Sequence, residues 1–348
     1  MQTALDLSPR PVPRSVERGA PTVVVLSEAP RPTEVFRTYW QFAAERQAVF
    51  FRRWRGEAAP WTADAVLRTY KFTNAYRASD RTSQYLIRHV IYRDDLPESA
   101  EEVVFRVLLF KLFNKIDTWE ALEGALGSVT YAGFSAERYD RVLTEASARG
   151  SIYNGAYIMP PGGRSFGHVR KHRNHLALLE AMMDDGIARR LQEAPDLGAA
   201  YALLRGYPTI GDFLAYQFVT DVNYSEVIDF NEMEFVVPGP GARSGLRKCF
   251  ADAGDWDGAD LIRWTADMQE EAFERAGVAF ESLWGRRLQL IDCQNLYCEV
   301  DKYARVVHPC AEGVGGRTRI KQKYAPTPAP LDYFFPPKWD LNKRIASA

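Results

Sequence analysis

The amino-acid sequence predicts a mainly α protein with two lobes that span residues 33–345. Three observations support this fold class. Apolar residues recur at helical spacing through most of the chain after residue 33. The middle of residues 99–126 is nearly all apolar, which predicts a buried central helix. The sequence contains no G-x-x-x-x-G-K-[ST] motif and no sign of a separate dinucleotide-binding domain.

Composition restricts the class of protein further. The chain has 348 residues, 46% of them hydrophobic, which is enough for a large core. Lys+Arg 44 and Asp+Glu 45 leave a net charge of −1, which excludes a protein that is basic all over but allows one basic face. The four cysteines form no C-x-x-C pair, and no apolar run is long enough to span a membrane. We therefore expect a cytoplasmic monomer without membrane contact, metal or cofactor.

The predicted elements follow in order from a proline-rich start. Residues 1–32 contain six prolines and predict a flexible segment, with TVVVLSE (22–28) as a candidate short strand. Thr33 is a good N-cap for a helix over residues 34–54, and Gly56 ends it. Further helices are predicted over residues 63–92, 99–126, 135–150, 172–194, 197–206, 258–278 and 282–307, and an extended proline-rich strap over 324–340.

A tight hairpin stands between two of these helices. Tyr207-Pro208-Thr209-Ile210-Gly211 directly precedes an apolar helical run. Such a hairpin presents backbone N–H groups at a helix start and can bind a DNA phosphate without side-chain charge. It resembles the helix-hairpin-helix of the DNA glycosylase superfamily, with Thr209 in place of a glycine. The resemblance implies a glycosylase-like helical fold and makes Thr209 and Gly211 candidate DNA-binding residues. An ordinary αα-hairpin is the alternative.

A second resemblance covers nearly all of residues 34–340. It rests on stretches such as YKFTNAYRASDRTSQYLIRHVIY, RVLLFKLFNKIDTWE, FLAYQFVTDVNYSE, EFVVPGPGARSGLRKCF and CQNLYCEVDKY. In these stretches the chain resembles the DNA base hypermodification family, also described as α-glutamyl/putrescinyl-thymine pyrophosphorylase-like or as the hydroxymethyl-uracil DNA kinase helical domain. The resemblance implies double-stranded DNA with modified bases as the partner. A glycosylase that excises a bulky hydroxymethylated or glucosylated pyrimidine from phage DNA, in anti-phage defence, would fit it.

Excision of a flipped-out base needs a carboxylate that stabilises the developing sugar cation or orients a water molecule. In glycosylases with this hairpin, that aspartate follows the hairpin near the start of the next helix. Asn231 stands at the corresponding offset here, so the match is inexact. Glu234 is our first choice for the catalytic carboxylate, with Asp229, Glu232 and Asp221 as alternatives. Each of them is also compatible with an ordinary surface carboxylate.

The position two residues after the last hairpin glycine predicts the outcome of such a reaction. Strand-nicking glycosylases carry a lysine there, whereas this chain has Phe213. Phenylalanine cannot form a Schiff base with the sugar, which predicts a monofunctional glycosylase that leaves an abasic site. Two alternatives stay open. One is a hypermodification transferase in which an amine displaces pyrophosphate from activated hydroxymethyl-uracil, and the other is a non-enzymatic reader of modified DNA.

Polar side chains within predicted apolar helices are candidates for contact with the base. Groups that share a helical face could bond to a base edge, and a lysine in an apolar helix must pair or meet a substrate. A structural ion-pair network is the alternative. The candidate substrate-binding residues are Asn74, Arg77, Asp80, Arg81, Gln84, Lys111, Asn114, Asn223, Glu299 and Lys302.

Two basic stretches without an acid, residues 160–175 and 313–324, predict contacts with DNA phosphates. A solvated charge run is the alternative for each. The candidates are Arg164, Arg170, Lys171, Arg173, Arg317 and Arg319, with Lys321 and Lys323 in the second stretch. His168, His172 and His175 share a helical face, but no carboxylate or thiol is near them in the sequence. We therefore expect no metal site there.

Overall fold

The computed structural model describes residues 29–155, 157–326 and 332–347. In these residues it has sixteen α-helices and a single two-stranded antiparallel sheet, so the mainly α prediction is confirmed. The α-helices are α1 (Glu34–Trp54), α2 (Ala65–Thr69), α3 (Arg81–Leu86), α4 (Ala100–Phe113), α5 (Ile116–Leu126), α6 (Ala136–Arg149), α7 (Gly163–Phe166), α8 (Lys171–Asp184), α9 (Ile187–Gln192), α10 (Leu197–Arg205), α11 (Asp212–Val222), α12 (Pro240–Cys249), α13 (Gly258–Asp267), α14 (Gln269–Ala276), α15 (Leu290–Val307) and α16 (Leu341–Ala346). The strands are β1 (Arg31–Pro32) and β2 (Phe250–Asp252), and a π-helical turn spans Ile87–Ile91.

The described residues fall into two compact units that alternate along the chain. The first unit contains residues 81–231 and 334–340, and the second contains residues 29–80, 232–333 and 341–347, as far as these are described. The candidate strand at 22–28, the flexible segment before residue 29 and residues 327–331 of the predicted strap lie outside the described residues. The single two-lobed domain over 33–345 stays a prediction. None of the helices in the described part of the chain is long and apolar enough to cross a bilayer.

Aromatic side chains of α1 form much of the core of the second unit. The Thr33 hydroxyl accepts a hydrogen bond from the Val35 N–H (3.1 Å), which confirms the predicted N-cap. Tyr39 and Trp40 are fully buried, with ring centroids 4.9 Å apart. The Tyr39 ring also lies 4.6 Å from the ring of Tyr297 on α15. Because such rings bury large apolar areas, these contacts fix α1 against α15.

Helices α12 and α15 approach each other at the level of the backbone. A Cβ atom placed on Gly245 would lie 2.0 Å from the carbonyl oxygen of Tyr297 and 2.7 Å from its carbonyl carbon. A Cβ on Gly241 would lie 2.2 Å from the Sγ of Cys298. Only glycine leaves room for this contact at position 245, because any larger residue would meet main-chain atoms of α15.

The predicted long helix over residues 63–92 is wrong. The chain forms the short α2, an extended stretch, a 3₁₀ turn at Arg77–Ser79 and then α3. The Asn74 N–H donates to Asp80 Oδ1 (2.7 Å), and Asn74 Nδ2 donates to the Ser79 carbonyl (2.7 Å). These local side-chain bonds give the backbone an alternative to helical pairing, and they explain the break.

Helix α4 is the buried centre of the first unit. All side chains from Glu102 to Phe113 are buried, as the apolar pattern predicted. The predicted helix over 99–126 nevertheless divides into α4 and α5 at Asn114, which adopts a left-handed conformation with φ 49°. Ser99 caps α4, accepting from the Glu102 N–H (3.4 Å).

The hairpin region lies in the first unit and joins α10 to α11. Gly211 is the N-cap of α11 and provides no side-chain cap. Thr209 has a φ of 69°, a left-handed conformation that is uncommon for a β-branched residue. The helix, tight turn and helix of the prediction are therefore present, whereas the relationship to the glycosylase hairpin stays a prediction.

Candidate functional site: an arginine-rich aromatic pocket

The second unit contains a pocket of about 300 Å³ that we call the arginine pocket. Its lining includes three arginines and four aromatic residues, and no carboxylate occurs among the described residues that line it. The lining residues are Arg46, Val49, Arg53, Ala59, Pro60, Trp61, Thr62, Leu67, Arg68, Tyr70, Phe72, Tyr324 and Pro326. Positive charge beside aromatic faces suits an anionic ligand that contains a flat ring.

Three segments of the chain place these side chains. Arg46 and Arg53 stand two turns apart on α1 and therefore share a helical face. The Arg53 guanidinium lies 4.9 Å from the centroid of the Trp61 ring, and Trp61 Nε1 donates to the Glu57 carbonyl (2.7 Å). Tyr70 forms an antiparallel bridge with Lys323, which brings the neighbouring Tyr324 to the pocket.

Arg46 is held firmly and still has donor capacity. Its Nε donates to the Thr73 carbonyl (2.9 Å), and its Nη2 donates to Asn74 Oδ1 (2.5 Å). Its Nη1 is shielded from solvent and has no hydrogen-bond partner among the described residues. Burial lowers the pKa of Arg46, and the nearby Asp80 carboxylate opposes this shift. Because a shielded donor without a partner is costly, an anion that reached Nη1 after a local shift of the Arg46 side chain would satisfy it.

A polar network lies behind Arg46 and contains five of the predicted substrate-binding residues, namely Asn74, Arg77, Asp80, Glu299 and Lys302. Glu299 accepts from the Thr73 N–H (3.0 Å) and pairs with Lys302 (2.6 Å). The buried Arg77 donates its backbone N–H to Asp292 (2.7 Å). None of these five residues lines the pocket. Asn74, Asp80 and Glu299 bond to Arg46 or to the Thr73–Asn74 backbone and so position them beside it.

Burial raises the pKa of Asp80 to about 7, and the negative charge of Glu299 adds to this shift. The Asn74 N–H and Arg46 act in the opposite direction. Burial likewise raises the pKa of Asp292 to about 7. Carboxylates that change protonation near neutral pH are concentrated at functional sites, which supports the choice of this region.

The raised pKa of Asp80 predicts a pH effect on stability. Between its ordinary value of 3.8 and about 7, the folded protein holds a proton that the unfolded chain releases, so Asp80 lowers the free energy of unfolding as pH rises through this range. The Asp80→Asn variant has no titrating carboxylate at this position, so its free energy of unfolding does not fall for this reason. We expect its stability relative to wild type to increase by at most about 1.4 kcal/mol per pH unit, and to level off above the folded pKa. Urea unfolding of both proteins at several pH values measures this, and a difference independent of pH would contradict the raised pKa.

The predicted catalytic carboxylates have unlike surroundings. In the first unit, Asp221 is buried and pairs with Lys111 (2.7 Å), while the side chain of Asp229 is 78% exposed. In the second unit, Glu232 pairs with Arg286 (2.6 Å) and Glu234 is exposed. Their catalytic role stays a prediction, and none of them lines the arginine pocket.

The remaining substrate-binding candidates belong to the first unit. The Lys111 ammonium lies 4.5 Å from the Tyr157 ring, and Asn114 ends α4. Asn223 exchanges hydrogen bonds with the backbone of Phe230 (3.0 and 2.9 Å), which closes a loop. Gln84 accepts from the Phe334 N–H (2.9 Å), whereas Arg81 is exposed. Gln84 and Asn223 therefore have visible structural roles.

The basic stretch at 160–175 contains no acidic residue, but it lies against one from another helix. The Asp140 carboxylate on α6 lies 2.9 Å from His172, 3.6 Å from Arg170 and 3.5 Å from Arg173. This partial neutralisation weakens the stretch as a phosphate contact. Elsewhere in it, Arg164 is exposed and Lys171 lies over the Tyr153 ring (4.1 Å).

Two of the three histidines of this stretch, His172 and His175, are engaged by protein groups. His175 Nε2 faces the Pro160 carbonyl (2.7 Å) and must donate to it, so its Nδ1 accepts from the Tyr153 hydroxyl (2.8 Å). Burial lowers the pKa of His175 to about 4. In the described part of the chain, no three His, Cys, Asp or Glu side chains are grouped as metal ligands would be.

The arginines of the pocket were missed by the sequence interpretation, which considered only basic runs and polar groups within predicted helices. A signal was present, because Arg46 and Arg53 repeat at i and i+7 on an otherwise aromatic helix. Their aromatic partners come from a loop and from a segment some 250 residues later in the chain, which no local pattern reveals.

The described residues form a mainly helical protein with an arginine-rich aromatic pocket. Comparison with known families is more specific, because residues 33–313 match the family described as "5-hmdU DNA kinase, helical domain". The chain belongs to this family. It is also 24% identical over 300 residues to a 5-hmdU DNA kinase of Bacillus phage SP10, an alignment that covers 78% of this chain and 46% of the relative. The chain thus spans about half the length of that relative. No solved structure matches the chain.

These comparisons confirm the resemblance to the hydroxymethyl-uracil DNA kinase helical domain family. They correct the expected activity. The phage relative is named a kinase, which is a transferase, so the expectation of a monofunctional DNA N-glycosylase is wrong. The hypermodification alternative agrees better with both comparisons.

Proposed function

We propose that this chain binds the modified base as part of a DNA-modifying transferase that acts on 5-hydroxymethyl-uracil-type bases. The observation that carries the proposal is the arginine pocket. It occurs in a chain whose family description names 5-hmdU DNA. Four aromatic side chains line the pocket and would pack against a pyrimidine ring, and Arg46, Arg53 and Arg68 would donate to an anionic substituent on it. Access to the pocket requires that the base leave the DNA stack.

In the first form of this proposal, the base arrives with its 5-hydroxymethyl group already phosphorylated. An amine nitrogen attacks the methylene carbon, the C–O bond breaks, and the phosphate or pyrophosphate leaves with its electron pair. The proton of the amine passes to solvent. The arginines would favour this step by balancing the charge that grows on the leaving group.

The name of the phage relative favours a second form, phosphoryl transfer to the 5-hydroxymethyl oxygen itself. The same pocket would then hold the base and the new phosphate, and a nucleotide would supply the phosphoryl group. Both forms place an anionic 5-substituent beside the same three arginines. A reader of modified DNA without activity would use the pocket for binding alone.

Base selectivity tests the shared part of the proposal. We expect DNA with a phosphorylated 5-hydroxymethyl-uracil to bind at least about tenfold more tightly than the same DNA with thymine, because each charge-assisted hydrogen bond contributes about 1.5–3 kcal/mol. Fluorescence anisotropy with matched oligonucleotides measures the ratio. Equal affinity for the two DNAs would contradict the proposal.

Product analysis separates the forms. Displacement releases pyrophosphate or phosphate from pre-phosphorylated DNA when an amine is present, and yields an aminated nucleoside by mass spectrometry. Phosphoryl transfer labels 5-hydroxymethyl-uracil DNA from γ-labelled ATP. Selective binding without either product identifies a reader.

A further inference from the structure

A short two-stranded ribbon borders the arginine pocket. The Lys71 N–H donates to the Gln322 carbonyl (3.0 Å), and the Tyr324 N–H donates to the Thr69 carbonyl (3.0 Å). Arg305 on α15 donates to the Arg319 carbonyl (3.0 Å). The basic segment 319–324 is therefore held in place from two sides, and we call it, with Thr69–Lys71, the basic ribbon.

Five exposed cations lie on the basic ribbon or directly beside it. Arg68, Lys71, Arg319, Lys321 and Lys323 are exposed, and none forms an ion pair within the described ranges. Several exposed arginines elsewhere in the second unit are paired, whereas Arg37, Arg243 and Arg247 form no ion pair among the described residues. Examples of such pairs are Arg55 with Glu281, Arg275 with Glu271 and Arg287 with Glu270. Uncompensated cations along one edge create a local positive field although the net charge is −1.

Aromatic rings stand among these cations. Tyr70 and Tyr324 belong to the ribbon and also line the pocket. The Lys323 ammonium lies 5.8 Å from the centroid of the Tyr70 ring. Cations along a track beside aromatic rings are the combination that binds single-stranded nucleic acid, because the cations contact phosphates and every base has a face that can stack.

We propose that the basic ribbon binds the backbone of an unpaired DNA strand next to the base held in the arginine pocket. This inference rests on the proposed function, and it names the state of the DNA that the site takes. An unpaired strand lets a base reach the pocket without the cost of breaking a base pair. The ribbon contributes affinity that does not depend on base identity, whereas the pocket contributes selectivity.

The test compares binding of a short single strand and of the matching duplex, each with thymine or with phosphorylated 5-hydroxymethyl-uracil. We expect the single strand to bind more tightly than the duplex. In the triple variant Arg319→Gln, Lys321→Gln and Lys323→Gln, single-strand affinity should fall by about 100-fold near 0.1 M salt. The slope of log affinity against log salt should become shallower by about 2, since each lost phosphate contact removes about 0.7.

The matched control carries the same change of charge at paired arginines, as Arg55→Gln, Arg275→Gln and Arg287→Gln. We expect it to keep the wild-type slope within error. An unchanged slope in the ribbon variant, or tighter binding of the duplex, would overturn the inference. Base selectivity is measured separately. If the salt slope of the ribbon variant is unchanged but the protein still prefers the modified base, the proposed function is left intact. If the slope becomes shallower but the protein binds thymine DNA and modified DNA equally, the proposed function is contradicted instead.

Discussion

The Arg46→Gln variant is expected to bind DNA with phosphorylated 5-hydroxymethyl-uracil about 100-fold more weakly than wild type, since charge-assisted bonds of about 1.5–3 kcal/mol are lost. Arg46 lines the arginine pocket, and its Nη1 is shielded and has no partner in the described part of the chain. Glutamine has no charge and no planar fork, so it cannot replace this donor. The substitution also removes the two hydrogen bonds that Arg46 donates to the Thr73 carbonyl and to Asn74 Oδ1.

Arg37→Gln is the matched control, because Arg37 is an exposed arginine on the same helix and does not line the pocket. It should bind like wild type. Arg46→Lys keeps the charge but loses the fork, and should restore only part of the affinity. Thermal unfolding of each variant shows whether it is folded. Equal affinity of the folded Arg46 and Arg37 variants would remove Arg46 from the site.

The second large effect concerns stability. Gly245→Ala is expected to destabilise the protein by about 3 kcal/mol or more, beyond the usual 1–3 kcal/mol of overpacking. The added methyl group would meet the Tyr297 carbonyl at 2.0 Å, and this contact involves main-chain atoms that no rotamer change can remove. A loss of that size corresponds to a fall in Tm of about 6–12 °C for a unit of this length.

Gly124→Ala is the control for this prediction. Gly124 lies inside α5, and a Cβ at this position has no heavy atom within 4 Å. Alanine should therefore be neutral there or stabilising by up to about 1 kcal/mol, through its better helix propensity. Gly241→Ala should be intermediate, because the clashing Cys298 Sγ can rotate away. The same Tm for the Gly245 and Gly124 variants would show that α12 and α15 move apart at little cost.

The sequence predicted well those features that depend on neighbouring residues. The helical class, the Thr33 cap and the buried character of α4 follow from local periodicity and capping chemistry. The helix expected over 63–92 failed where Asn74 and Asp80 bond to nearby backbone, because that competition is decided by side-chain geometry rather than by apolar spacing.

The candidate site was predicted only in its supporting residues. Asn74, Asp80 and Glu299 were chosen as polar groups within predicted helices, and the structure gathers them behind Arg46. The pocket itself depends on the pairing of Tyr70 with Lys323, which are more than 250 residues apart. Pairings at that separation are set by the packing of the whole unit, so local sequence patterns do not encode them.

The close contact at Gly245 limits how the second unit can move. Helix α15 carries Tyr297, which meets α12 backbone to backbone, and also Glu299 and Lys302, which belong to the network behind Arg46. Sliding or rotation of α15 along α12 would press main-chain atoms together, so we expect the network behind Arg46 to keep its position relative to α12. We therefore expect opening of the pocket for ligand entry to involve the loop that carries Trp61, which lines it.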